Sequence, residues 1–84
     1  MRKGMMYMTN KEMVVDVLNT YGAMTSRQIA VQVNLNHGVV ITPAQAAGAI
    51  RPLMAKGYAA NSKDGSGKTY YWITNEGKEA LKND

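Results

Sequence analysis

The side chains in this sequence that could do chemistry are mostly basic or amide groups, and few are nucleophiles. His37 is the only histidine, cysteine is absent, and the six acidic residues are scattered along the chain. A metal centre or a catalytic triad needs several such groups at defined spacing, and no set of this kind can be assembled here. The sequence therefore predicts a protein that is not an enzyme and holds neither a metal nor another cofactor.

Basic residues exceed acidic ones by ten to six, which gives a formal net charge of +4 at pH 7. This excess favours a polyanionic partner without requiring one. The basic start of the chain resembles that of a signal peptide, but the polar segment 9–12 follows where a signal peptide has an apolar stretch, so none is predicted. No apolar run approaches the length that spans a bilayer. We expect a cytoplasmic protein, associated with the nucleoid if it binds DNA, with no membrane partner.

A chain of 84 residues, 45% of them hydrophobic, is enough for one compact domain and too short for two. Residues 1–9 are rich in methionine and carry Arg2 and Lys3, so they are predicted to form a flexible basic arm. The remaining residues, 10–84, are predicted to form the single folded domain.

Three segments begin with the pattern threonine, two residues, then Glu or Gln, which is a capping box at the start of a helix. The segment 9–12 predicts a first helix over 10–21, ended by Gly22, and the segment 25–28 predicts a short second helix whose end is blurred between 34 and 38. The residues 39–41 could be extended. The segment 42–45, with Pro43 in the first helical position, predicts a third helix over 43–56. Pro52 within it predicts a kink or a break near 49–51.

After Gly57 the hydrophobic period changes from helical spacing to two, which is typical of strands. Strands over 58–61 and 68–74 flank the turn-forming segment 62–67, so they predict a hairpin, followed by a last short helix over 76–82. Alternation places Tyr71 and Ile73 on one face of the hairpin and Tyr70 and Trp72 on the other. The outward aromatic pair is covered either by the methionine-rich arm or by a dimer or protein interface.

Several stretches resemble the winged helix-turn-helix family of small bacterial and phage regulators. The segment 25–30 is similar to the start of that family's second helix, 50–58 to the end of its recognition helix, and 70–78 to the return strand of the wing. The resemblance implies an α+β, mostly α fold with a three-helix core, a two-stranded β-hairpin wing and a short C-terminal helix. The connection over 34–41 is longer than the tight turn of that family, and Pro52 interrupts its usual helix.

The resemblance also implies that double-stranded DNA is the partner, with helix 43–56 in the major groove and the wing, 58–74, on the backbone or minor groove. Thr42 and the free amides at the start of the third helix would hold a phosphate. Gln45 would read adenine, and Arg51 would read guanine or contact phosphate. The small residues of this helix would permit close approach to thymine methyl groups, and the wing and second helix would supply cations for phosphate. The candidate nucleic-acid-binding residues are Arg27, Thr42, Ala44, Gln45, Gly48, Arg51, Lys63 and Lys68.

Each of these residues also has an ordinary explanation as a solvated surface group. The outward face of helix 43–56 is poor in hydrogen-bonding side chains, so specificity can be low and a protein could dock there equally well. The alternative function is therefore a winged-helix interaction module, such as an assembly factor or inhibitor, that does not bind DNA. Its interface would include Tyr70 and Trp72, and a homodimer is a further possibility.

Overall fold

Helices dominate the chain, and a two-stranded sheet packs against them. The structure is a computed structural model, and it describes residues 8–81. The elements in chain order are α1 (Asn10–Tyr21), α2 (Ser26–His37), α3 (Pro43–Ala55), β1 (Ala59–Lys63), β2 (Thr69–Ile73) and α4 (Asn75–Leu81). The predicted architecture, three helices followed by an antiparallel hairpin and a short closing helix, is confirmed.

The three predicted capping boxes are all formed, and they fix where α1, α2 and α3 begin. At α1, Thr9 Oγ1 accepts from the backbone N–H of Glu12 at 3.1 Å, and Glu12 Oε1 accepts from the N–H of Thr9 at 2.8 Å. Thr25 with Gln28 repeats this exchange at α2. Each box satisfies two amides that have no acceptor inside the helix.

The core lies where the apolar stripes of the three helices meet the sheet. Its members on the helices follow three- and four-residue spacing, as the sequence predicts. The largest fully buried side chains are Val14, Val17, Ile29, Val33 and Ile50. Burying each of these contributes about 1.5–3 kcal/mol.

The expectation of a short second helix with a blurred end is wrong. Helix α2 has 12 residues, the same length as α1, and it ends at His37, where Gly38 takes the left-handed conformation at φ +70°. Contacts to α1 hold this last turn: His37 Nε2 lies 2.8 Å from Asp16 Oδ2, and the Tyr21 hydroxyl donates to Asn36 Oδ1 at 2.9 Å. The connection to α3 is therefore only 38–42, and 39–41 form no strand.

Pro52 does not break α3, which is continuous from Pro43 to Ala55. The proline removes only the hydrogen bond that its own amide would donate to the Gly48 carbonyl. The buried side chains of Ile50 and Leu53 hold the helix on both sides of the proline, so tertiary packing overrides the local preference.

The hairpin is joined to the helices by a backbone bridge that the sequence did not reveal. The two strands pair from Ala59 with Ile73 to Lys63 with Thr69. On the other edge of β2, the N–H of Met24 donates to the Tyr71 carbonyl at 3.0 Å, and the N–H of Tyr71 donates to the Met24 carbonyl at 2.8 Å. The residues between α1 and α2 thus act as a third, one-residue strand.

The chain ends of the domain prediction are not tested. Residues 1–7 and 82–84 lie outside the described residues, so the flexible arm over 1–9, its cover of Tyr70 and Trp72, and the domain limits of 10–84 stay predictions. Thr9, which was assigned to the arm, serves as the N-cap of α1. No helix within 8–81 has the length and apolar character needed to cross a membrane.

Two glycines allow a matched test of packing. A Cβ built on buried Gly77 in α4 would collide with the carbonyl of Tyr58, whereas one built on Gly48 in α3 meets nothing within 4 Å. We expect Gly77→Ala to lower the free energy of unfolding by about 1–3 kcal/mol through overpacking. Gly48→Ala, the control, should raise it by about 0.5–1 kcal/mol through helix propensity. Urea denaturation measures both, and equal effects would contradict the close contact between α4 and Tyr58.

Candidate nucleic-acid interface

A cleft between the N-terminus of α2 and strand β2 brings together two of the predicted basic residues. Its volume is about 470 Å³, and we call it the α2–hairpin cleft. Arg27 enters it from the first turn of α2 and Lys68 from the residue before β2. The other lining residues are Thr25, Ser26, Gln28, Thr69, Tyr70 and Tyr71.

The chemistry of this cleft suits an anionic oxygen. Arg27 and Lys68 are exposed, and neither forms an ion pair with another residue in the range 8–81. Ser26 adds a hydroxyl, and the start of α2 adds the positive end of a helix dipole. Guanidinium, ammonium and hydroxyl donors and helix N-termini are groups that bind phosphate in proteins.

The tip of the hairpin is an ordered turn held by one carboxylate. Asp64 Oδ1 accepts from the Ser66 hydroxyl at 2.7 Å, from the Ser66 N–H at 2.9 Å and from the Lys68 N–H at 3.0 Å. These hydrogen bonds, that of the Ser66 hydroxyl first, lower the pKa of Asp64 below its ordinary value of 3.8, and the charge of Lys68 adds to the effect. The turn holds Lys68 at the mouth of the α2–hairpin cleft. Lys63, at the end of β1, is exposed opposite Thr69.

The outward face of α3 carries the other predicted residues. Ala44, Gln45 and Arg51 are exposed and Gly48 is half-buried, while Ala46, Ile50 and Leu53 face the core. Arg51 has no hydrogen-bond partner within the described chain, so its guanidinium is available to a ligand. It is the only cation on this face, which otherwise offers small side chains.

The start of α3 has fewer available donors than the sequence suggested. Thr42 Oγ1 accepts from the N–H of Gln45 at 3.0 Å, and Gln45 Oε1 accepts from the N–H of Thr42 at 2.8 Å. The N–H of Ala46 donates to the Thr42 carbonyl, and Pro43 has no amide hydrogen. Among the first amides of α3, only that of Ala44 has no acceptor in the described chain, so the expectation of several free amides there is wrong. Thr42 keeps its hydroxyl hydrogen and Gln45 its side-chain NH₂ group as donors.

The aromatic pair of the outward strand face is half-buried. Tyr70 lines the α2–hairpin cleft, so it lies beside the basic residues. Trp72 pairs with Ala60 across the hairpin. A protein interface at these two residues stays a prediction.

Three useful residues were missed by reasoning from the sequence. Ser26 was treated only as part of a capping box, although its position one residue after the cap places its side chain at the helix start. Asp64 was included in the turn-forming segment 62–67 but not singled out, although an aspartate side chain that accepts from the amide two residues later is a common local turn signal. Met24 gave no usable signal, because a one-residue strand has no periodicity.

The comparisons with known proteins place the chain by its fold. No family model matches the sequence, and no curated protein matches it. Among solved structures, a transcriptional regulator from Clostridium thermocellum superposes with a TM-score of 0.75 at 22% identity, over 88% of this chain and 74% of that one. A MarR family transcriptional regulator from Silicibacter pomeroyi superposes with a TM-score of 0.71 at 25% identity, over 89% of this chain and 48% of that one. F93 from STIV, a winged-helix DNA-binding protein, superposes with a TM-score of 0.72 at 15% identity, over 93% of this chain and 86% of that one.

The chain has the winged helix-turn-helix fold. Helices α2 and α3 form its helix-turn-helix, and the β1–β2 hairpin is its wing. The chain spans about half the length of the Silicibacter regulator, so the likeness covers the winged-helix part of that protein and not the whole.

The role of Asp64 in the wing can be tested by substitution and by pH. Asp64→Ala removes the three hydrogen bonds that the carboxylate accepts and leaves the two backbone hydrogen bonds of the turn. Amide exchange at Ser66 and Lys68 should therefore rise while the thermal midpoint changes little, because the turn is exposed. Asp64→Asn, the control, keeps a neutral acceptor and should show a smaller rise.

Because the pKa of Asp64 is lowered in the fold, its contribution is present above the ordinary value of 3.8 and is lost as the pH falls through the lowered pKa. In the native protein, the protection of the Ser66 and Lys68 amides against exchange should therefore decrease as the pH falls through the lowered pKa of Asp64. NMR-detected exchange measures this protection. Unchanged protection in Asp64→Ala would show that the turn is held by other interactions.

Proposed function

We propose that this protein is a small transcriptional regulator that binds double-stranded DNA. In this proposal α3 enters the major groove and the wing contacts the adjacent backbone or minor groove. The observation that carries the proposal is the α2–hairpin cleft, where Arg27 and Lys68, distant in sequence, meet beside the N-terminus of α2.

The solved structures support this function by analogy. Transcriptional regulators from Clostridium thermocellum and Silicibacter pomeroyi share the fold, and F93 from STIV, a winged-helix DNA-binding protein, is matched over most of its length. Fold alone does not carry function, so the weight of the argument rests on the placement of two cations beside the N-terminus of α2.

Phosphate contacts supply most of the affinity in this proposal. Arg27, Lys68 and the Ser26 hydroxyl hold one backbone phosphate in the α2–hairpin cleft, and Lys63 reaches another from the end of β1. The hydroxyl of Thr42 and the backbone amide of Ala44 donate to a phosphate of the DNA strand nearest the start of α3.

Base recognition depends mainly on Arg51. Its guanidinium can donate to both acceptors on the major-groove edge of guanine. Gln45 is a weaker reader, because two-point recognition of adenine needs its Oε1, which already accepts from the N–H of Thr42. Ala44 and Gly48 permit close approach and apolar contact with thymine methyl groups. One strong reader and several small residues predict low sequence specificity.

The phosphate contacts can be measured by the salt dependence of binding. We expect Arg27→Ala and Lys68→Ala each to weaken binding to all duplexes alike and to lower the slope of log K against log salt by about 0.9. Electrophoretic shift with random-sequence duplex at several salt concentrations provides the slope. Lys11→Ala is the matched control, because Lys11 is also an exposed lysine but lines a different cleft, between α1 and Leu81. A slope equal to that of the native protein in both cleft variants would exclude the proposed contacts.

Base reading by Arg51 predicts a different signature. Arg51→Ala should lose about 1–3 kcal/mol of binding free energy at one base pair and relax the preference there, with little change on other sequences. Selection of preferred sites by the native protein, followed by affinities on single-base variants, measures this loss. A uniform loss on every sequence would make Arg51 a backbone contact like Arg27.

The alternative function, a winged-helix module that docks a protein and does not bind DNA, predicts the opposite titration. If the folded protein fails to bind duplex DNA even at low salt, the DNA-binding proposal is wrong and the protein-docking function takes its place. The half-buried state of Tyr70 and Trp72 gives no specific support for a protein interface at that face.

A further inference from the structure

A group of exposed apolar side chains lies on α2 and on the connection that follows it. Val31 and Leu35 are one helical turn apart, so they share a side of α2. Val31 is 51% exposed and Leu35 is 73% exposed. Val39 and Val40 follow directly after the C-cap of α2, and Val40 is 80% exposed. We call these four residues the α2 apolar face. Leaving so many aliphatic groups in water is unfavourable unless another surface covers them.

The stretch of sequence that contains this face is depleted of charged residues. From Gln28 through Ile50 the sequence contains no lysine, arginine, aspartate or glutamate. The exposed sides of α1 and α4 differ, since α1 presents Lys11, Glu12 and Asp16, and α4 presents Glu76, Lys78 and Glu79. Depletion of charged residues around exposed apolar ones is the compositional mark of an interface centre.

Charge also indicates what covers the face. In a symmetric dimer each residue near the two-fold axis meets its own copy, so a charged residue there would face a like charge. On a protein of net charge +4, the basic surfaces around Arg27, Arg51 and Lys68 would repel a second copy. The α2 apolar face can meet its copy without this repulsion. Nucleic acid would find no cation there, so it is a poor occupant.

We propose that the α2 apolar face is the surface through which two copies of this chain associate. The contact centres on Leu35 and Val31, with the exposed side chain of Asn34 and the half-buried Gln32 at its edge. A standard interface takes about 800 Å² from each partner, and four aliphatic side chains form only its centre. The dimer is therefore weak and depends on concentration. Self-association is a property of the free protein, so it does not depend on the proposed DNA binding.

Sedimentation equilibrium of the full chain, without DNA, tests this at low and high micromolar concentrations. The native protein should shift from monomer towards dimer as its concentration rises. Leu35→Lys places two like charges across the contact and should raise the dimer dissociation constant at least about tenfold. Asn19→Lys is the matched control, because it adds the same charge at an exposed position of α1, and it should leave the dissociation constant unchanged. Circular dichroism verifies that both variants are folded.

Each outcome decides the proposal. A native protein that stays monomeric at every concentration overturns it, as does a dimer that Leu35→Lys leaves intact. A dimer dissociated by Asn19→Lys but not by Leu35→Lys would place the interface on α1, and this also overturns it. Should Leu35→Lys fail to fold, Val31→Lys on the same side of α2 provides the same test. Loss of dimer in the Leu35 or Val31 variant, with the control unaffected, supports the proposal.

Discussion

The start of each long helix depends on one reciprocal exchange between a threonine and the Glu or Gln three residues later. Thr9, Thr25 and Thr42 each accept from a helical amide, and their partners accept from the threonine amide in return. A three-helix core this small has little apolar surface to spare, so each helix has to be formed over the whole length of its buried stripe. The capping boxes fix where all three stripes begin through hydrogen bonds that span only four residues.

The same exchange restricts what the reading helix can do. Gln45 belongs to the box of α3, so its Oε1 stays on the N–H of Thr42 unless DNA binding breaks that hydrogen bond. Stability at the start of α3 and base reading by Gln45 are thus in competition for one oxygen atom. Arg51 lies two turns away and has no such task, because that part of α3 is held by the buried side chains of Ile50 and Leu53.

Features that arise within a few residues were predictable from the sequence, and features that depend on distant residues were not. The helix starts and the hairpin follow from local hydrogen bonding and from alternation. The end of α2 was misjudged because its last turn is held by Asp16 and Tyr21 of α1, which no local pattern reveals. The break considered at Pro52 did not form for a related reason, since the core on both sides of the proline outweighs its local cost. The candidate site residues Arg27 and Lys68 were identified singly, but their meeting in one cleft depends on how the hairpin docks.

That docking is what joins the two halves of the proposed site. The paired hydrogen bonds between Met24 and Tyr71 attach β2 to the chain just before α2, so the wing and the N-terminus of α2 are held at a fixed spacing. The Thr74 hydroxyl donates to the Gly57 carbonyl and accepts from the N–H of Gly77, which ties the residue after β2 to the chain that follows α3 and to α4. With β2 anchored at its middle residue, Tyr71, and just past its end, at Thr74, Asp64 needs only to order the tip. A phosphate that bridges Arg27 and Lys68 would then bind to a cleft already formed, and little conformational entropy would be lost on binding.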